Sequence, residues 1–226
     1  MQPLIRVART TGLFYLGLAL TGGLGFLLIR SRLFVADDPA ATLANLVEQD
    51  GLARLGVAVE MLVVLTQTLA AVWFYRLFQR VDPFAAGCIA AFGLVNAVAI
   101  LGSAALLGTA TEVAAGPIGD AAVNVQMMYL VSGQLWTVGA LFFGLWLIPM
   151  GWCVLRSGWM PRPLGWILIA GGVGYVLSPF VSYLVPQAGA VSDLLTIPAT
   201  VGEFWMVGYL LYRGVRTNVP SEPAPV

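Results

Sequence analysis

Six long, uninterrupted apolar stretches constrain this chain more than any other feature. Crossing a hydrocarbon core of about 30 Å takes roughly 20 residues of helix at about 1.5 Å each. Residues 11–29, 53–75, 84–108, 129–155, 164–185 and 194–212 reach or approach that length. They lack the alternation of barrel strands and are too long for them. Of 226 residues, 59% are hydrophobic and 10% charged, where soluble domains carry about 25% charged residues. A water-facing surface built from this composition would expose large apolar patches. The expected fold class is therefore all-α, an integral membrane bundle of six transmembrane helices.

The arginines orient that bundle. Arg6 and Arg9 precede the first span, and Arg76 and Arg80 separate the second from the third. Arg156 and Arg162 separate the fourth from the fifth, and Arg213 and Arg216 follow the sixth. With alternate crossing all of these fall on one side. The opposite loops hold Asp37, Asp38, Glu48, Asp50, Glu112, Asp120 and Asp193 against Arg30, Arg32 and Arg54. Arginines concentrate in short cytoplasmic loops, so both termini are expected in the cytoplasm, the N-in/C-in arrangement. The expected location is the plasma (cytoplasmic) membrane of a prokaryote. The first stretch is longer than a signal-peptide core and ends at Arg30 without a small-residue cleavage site, which marks it as a retained helix. Residues 1–218 are expected to form a single six-helix domain, and 219–226, with three prolines, a disordered tail.

The longest loop, 30–52, reads as external. Asp37-Asp38-Pro39 should cap a short helix, and Leu43, Leu46 and Val47 on one face would let it lie flat on the membrane. The segment 109–123, with its Gly116-Pro117 break, reads as another external loop.

Absences narrow the chemistry. The chain has no His, and every basic residue is Arg. Histidine ligation of a metal or haem, a Ser-His-Asp triad and lysine Schiff-base chemistry are excluded. No GxSxG, CxxC, HExxH or P-loop occurs, and neither a cofactor nor nucleic-acid binding is expected. Cys88 and Cys153 are too few for a disulfide framework and read as packing residues on the reducing side.

Polar residues at membrane depth are the functional candidates, because an unpaired ionisable group there costs several kcal/mol. Glu60 lies about two turns into the second span, with Gln67 on the same face. Glu203 lies roughly 14 Å into the sixth, and Thr196 and Thr200 share its face. Asn96 and Ser103 share a face of the third span, Gln126, Gln134 and Thr137 mark the fourth, and Tyr175, Ser178 and Ser182 the fifth. Arg54 and Arg30 are candidate partners for the two glutamates. The candidate ligand-binding set is Glu60, Glu203, Asn96, Gln134, Gln67 and Arg54, lining an externally open polar cavity. The competing explanation is that the same groups satisfy one another and hold the helices in register.

Other features have ordinary packing explanations. Trp152, Trp159 and Trp166 flank one cytoplasmic loop and fit an interfacial aromatic belt. Gly22-Gly23 with Gly25, and Gly171-Gly172-Val173-Gly174, allow close helix approach. Pro149 and Pro179 should kink their helices and free the carbonyls of Leu145 and Tyr175.

The stretch FFGLWLIPMGWCVLRSGWMPRPLGWIL, residues 142–168, resembles the signature region of the domain-of-unknown-function 4386 family, six-helix membrane proteins of bacteria and archaea. Gly51-Leu52 with Arg54-Leu55-Gly56, and Gly202-Glu203, extend the resemblance over residues 5–216. It implies a multi-pass membrane fold and carries no reaction, ligand or catalytic residue. It also draws attention to the fourth turn. There Ser157-Gly158 should end a helix in a left-handed residue, and Pro161 and Pro163 should start the next.

Three functional expectations follow. The first is a bundle that binds or transports a small polar ligand or cation through an external cavity. The second is an accessory or scaffold subunit that packs against another membrane protein. The third, an intramembrane enzyme, is disfavoured by the missing His and Lys. Membrane lipid is a partner in every case.

Overall fold

A computed structural model of the chain describes residues 2–216; the expected disordered tail, 219–226, lies outside the described residues. Six helices are long and apolar enough to cross a membrane, and no strand occurs among the described residues. Helix α1 (Gln2–Gly23) runs through a π-helical stretch, Leu24–Arg30, into a single turn, α2 (Ser31–Leu33). A short α3 (Pro39–Glu48) precedes the remaining long helices. These are α4 (Asp50–Phe78), α5 (Pro83–Ala115), α6 (Ala121–Ser157), α7 (Arg162–Leu184) and α8 (Gly189–Tyr212). Consecutive long helices from α4 onward are neighbours, and α1 packs against α4 and α8. The two chain ends meet at one end of the bundle, where a Cβ on Gly12 would touch Leu210 and Leu211 and one on Gly214 would touch Ile5.

Helices α3, α5 and α6 each begin at an aspartate that caps them. The carboxylates of Asp38, Asp82 and Asp120 accept from the N–H groups of Ala41, Ala85 and Val123 at 2.9, 3.0 and 3.2 Å. Each satisfies one of the free donors at a helix start. The 37-residue α6 is about 55 Å long and overshoots any hydrocarbon core. The expected loop 109–123 is accordingly mostly helix, with α5 ending at Ala115 and α6 starting at Ala121. Alanine is the best helix former, and Ala110, Ala114 and Ala121 are buried there with Val113 and Val125 in a second core.

That second core also revises the reading of α3. Leu46, expected on lipid, is buried with Leu33, Ala53 and Val125, while Val47 stays 56% exposed. Polar ties hold α3 to the bundle: Asn45 Nδ2 donates to Leu33 O at 3.2 Å, and Thr42 Oγ1 to Val35 O at 3.1 Å. Gln126 Nε2 donates to the carbonyls of Val35 and Ala36 in the loop just before α3. The helix caps the end of the bundle opposite the termini, because its inner face meets protein that projects beyond the spans.

At the termini end, Asp82 does more than cap α5. It pairs with Arg156 Nη1 at 2.8 Å and accepts from Trp152 Nε1 at 3.2 Å, tying the α4–α5 turn to the end of α6. The Ala85 N–H, then the Trp152 indole and the Arg156 guanidinium, hold its carboxyl below the usual carboxylate range. Trp152 and Trp166 are exposed, as a belt requires, whereas Trp159 stacks on Phe78 at 6.3 Å. Cys153 is buried in the main core. Gly158 adopts φ 64° and ends α6 in the left-handed conformation expected of it.

The glycines of α6 and α7 are used inside the bundle. A Cβ on Gly144 would lie 2.5 Å from Gly172 O, and one on Gly174 would collide with Leu195 O. Backbones therefore touch along both seams of α7, the close approach that small residues permit. Pro179 frees the carbonyl of Tyr175, and the Ser178 hydroxyl donates to it at 3.1 Å. A further proline, Pro198, lies inside α8.

Gly174→Ala should therefore destabilise the protein by about 1–3 kcal/mol, since backbone must move to admit the methyl group. Gly22→Ala, whose Cβ would meet nothing within 4 Å, should change stability by less than about 0.5 kcal/mol. Thermal unfolding in detergent measures both.

Candidate functional site

A polar residue of an apolar helix is costly unless the fold finds it a partner. Glu60, on α4, is 5% exposed. Its Oε1 accepts from Ser103 Oγ on α5 and from Trp136 Nε1 on α6, each at 3.1 Å. Ser103 shares a hydrogen bond with Ser132 Oγ at 2.7 Å, and Ser132 accepts from Arg30 Nη1 at 2.8 Å. Arg30 also donates to Tyr129 O. Its guanidinium lies 5.4 Å from the Tyr129 ring centroid and 5.5 Å from that of Phe34, within cation–π range. Carboxylate and guanidinium are thus joined through two serines rather than by a direct ion pair.

The π-helical stretch makes this geometry possible. One extra residue per turn widens the helix, leaving Leu24, Phe26, Leu27 and Leu28 exposed while Ile29 is buried and Arg30 reaches α6. Phe34 stacks on Tyr129 at 5.5 Å and closes the network on the α3 side. The space left beside Glu60 is about 10 Å³, room for at most one water.

Glu203, on α8, lies elsewhere. Its Oε1 accepts from the Tyr15 hydroxyl of α1 at 2.6 Å. The carboxylate lines a pocket of about 310 Å³ with Tyr15, Trp136, Phe143, Tyr175 and Phe204. A second pocket of about 500 Å³ adjoins it through shared walls at Gly22, Trp136 and Tyr175. That pocket runs along α7 and α8 past Ser178, Thr196 and Ser182 to Asp193. Together they form a crevice between α1, α6, α7 and α8. From Asp193 to Glu203 it spans ten residues of α8, or about 15 Å. It opens on the bundle's flank, where its lining residues Leu27 and Phe204 are 67% and 62% exposed. Trp136 is common to both glutamates: its N–H binds Glu60, and its ring walls the crevice of Glu203.

The six candidate residues occupy distinct surroundings. Arg54, with its side chain 65% exposed, pairs at 2.9 Å with Asp50 one turn earlier and reaches neither glutamate. Gln67 and Asn96 are buried; Gln67 Nε2 donates to Gly93 O at 3.2 Å, while Gln67 Oε1 and Asn96 Nδ2 find no partner among the described residues. Gln134 is exposed on α6 and accepts from the Tyr183 hydroxyl. The polar stripe of Thr196, Thr200, Tyr175, Ser178 and Ser182 does face the crevice. Sequence reading missed Tyr15, Trp136 and Ser132 as partners. A phenol in the middle of an apolar span was the available signal for the first; nothing in the sequence pairs the others. Among the described residues no cluster of three or more Cys, Asp or Glu could hold a metal ion.

Removing Glu60 should leave the Trp136 indole without an acceptor, Ser103 with Ser132 alone, and the buried end of Arg30 without a nearby opposite charge. Glu60→Ala should cost about 1–3 kcal/mol of unfolding free energy, whereas Glu203→Gln should cost less than about 1 kcal/mol, because an amide oxygen can still accept from Tyr15. Detergent-based equilibrium unfolding distinguishes the two.

No curated protein and no solved structure matches the chain. The family model described as "Domain of unknown function (DUF4386)" matches residues 10–214. That match covers nearly all of the six-helix bundle, including both glutamates, and the chain belongs to this family of unknown function.

Proposed function

We propose that the protein binds a small amphipathic ligand in the crevice between α1, α6, α7 and α8, with Glu203 as the polar anchor. One observation carries this reading: a carboxylate within an apolar span sits on the wall of an open, mainly apolar pocket that includes five aromatic rings. Ligand sites combine apolar walls with a few placed polar groups, and the combined crevice is large enough for a drug-sized molecule. Glu60 has the opposite character, being enclosed and bound through Oε1 to Ser103 and Trp136, and acts as a structural tie. The scaffold alternative has less support, because the small residues of α6 and α7 are occupied by contacts within the chain.

The arginine distribution supports a plasma-membrane protein with cytoplasmic termini. On that orientation α3 caps the external end, and the crevice rises from Glu203 toward the external Asp193.

Gly22 supplies a test of ligand entry. It lines both pockets, and a Cβ there would meet nothing within 4 Å, so Gly22→Phe should fill the crevice without disturbing the fold. In neutral detergent, 8-bromooctanol should quench tryptophan fluorescence saturably through contact with Trp136, and Gly22→Phe should weaken that binding at least about fivefold. Unsaturable quenching that is identical in both proteins would remove the crevice as the site. Orientation is tested separately: with Cys88 and Cys153 replaced by serine, Asp120→Cys should react with an impermeant maleimide on intact cells, and Arg216→Cys only after permeabilisation.

A further inference from the structure

The crevice has a charge character that selects among amphiphiles. Its walls carry two acidic residues, Glu203 inside and Asp193 at the far end, and no arginine lines either pocket. Five aromatic rings, those of Tyr15, Trp136, Phe143, Tyr175 and Phe204, stand around the Glu203 carboxylate. Aromatic faces attract cations, most strongly when water is excluded, and a carboxylate in the same pocket adds a full opposite charge. Tyr15 engages Oε1, and no other side chain donates to this carboxylate among the described residues.

We infer that the ligand is a phosphate-free organic cation, a single-chain ammonium whose head sits against Glu203 within the aromatic walls and whose tail follows the crevice. This deepens the binding function proposed above and rests on it. The alternative source of an ammonium group is a zwitterionic lipid headgroup. Such a headgroup would bring its phosphate into a lining that offers acids and no cation, a like-charge placement that opposes binding.

The test compares one chain with four heads: octyltrimethylammonium, octanol, octanoate and octylphosphocholine, titrated calorimetrically into the purified full chain in a neutral maltoside detergent. Octyltrimethylammonium should bind at least tenfold more tightly than each of the other three. Glu203→Gln should remove that preference, bringing the affinity of octyltrimethylammonium down to that of octanol. Gly22→Phe should weaken all binding, which covers the case in which Glu203→Gln fails to fold. Equal binding of octanol and the cation would overturn the inference and leave the crevice as an amphiphile site. Equal binding of octylphosphocholine would overturn it in favour of a lipid headgroup. Failure of all four to bind would remove the proposed function together with the inference.

Discussion

Within a hydrocarbon slab no water is available to complete a hydrogen bond, so every polar group must be answered by another part of the chain or line a cavity. Much of this bundle follows from that requirement. Three helices start at an aspartate that caps them, and the carbonyl released by Pro179 is taken by Ser178. The arginine that ends the π-helical stretch is held by Ser132, the Tyr129 carbonyl and two aromatic faces. Glu60 closes the same chain of bonds through Ser103 and Trp136. This network joins the π-helical stretch, α4, α5 and α6.

Glu203 answers the same requirement differently. It has one donor, Tyr15, and an open crevice beside it. Both glutamates have donors on one oxygen alone among the described residues. Glu60 Oε2 is enclosed, whereas the Glu203 carboxylate lines an open crevice, and that access is the physical reason to assign it a ligand. Trp136 connects the two situations. Its bond to Glu60 fixes the indole plane, and the fixed ring then forms part of the crevice wall. Rigidity on the enclosed side thereby pre-shapes the open side.

The bundle was legible in the sequence because apolar length reports spans directly, and eight of the eleven arginines fall at the two ends or in alternate connections. The polar stripes were legible too: Thr196, Thr200 and Glu203 at helical spacing do share the crevice. What could not be read was the rotation of one helix against another. Arg54 and Arg30 were equivalent candidates on paper, yet Arg54 takes Asp50 on its own helix, while the wide π turn brings Arg30 inward. The docking of α3 was hidden for a related reason. An apolar face on a short helix looks the same whether lipid or protein covers it, and here the overlong α6 supplies the protein. The separation of Glu60 from Glu203 depends on where Trp136 lies, which no spacing within a single helix encodes.

The central claim is that the two membrane-depth glutamates differ in access, Glu60 enclosed and Glu203 open on the bundle's flank. Dicyclohexylcarbodiimide, an apolar reagent that modifies carboxyl groups reachable from the membrane, tests this directly when adducts on the folded protein are mapped by mass spectrometry. The account predicts an adduct on Glu203 and none on Glu60. Modification of Glu60 at a comparable rate, or an unreactive Glu203, would contradict it.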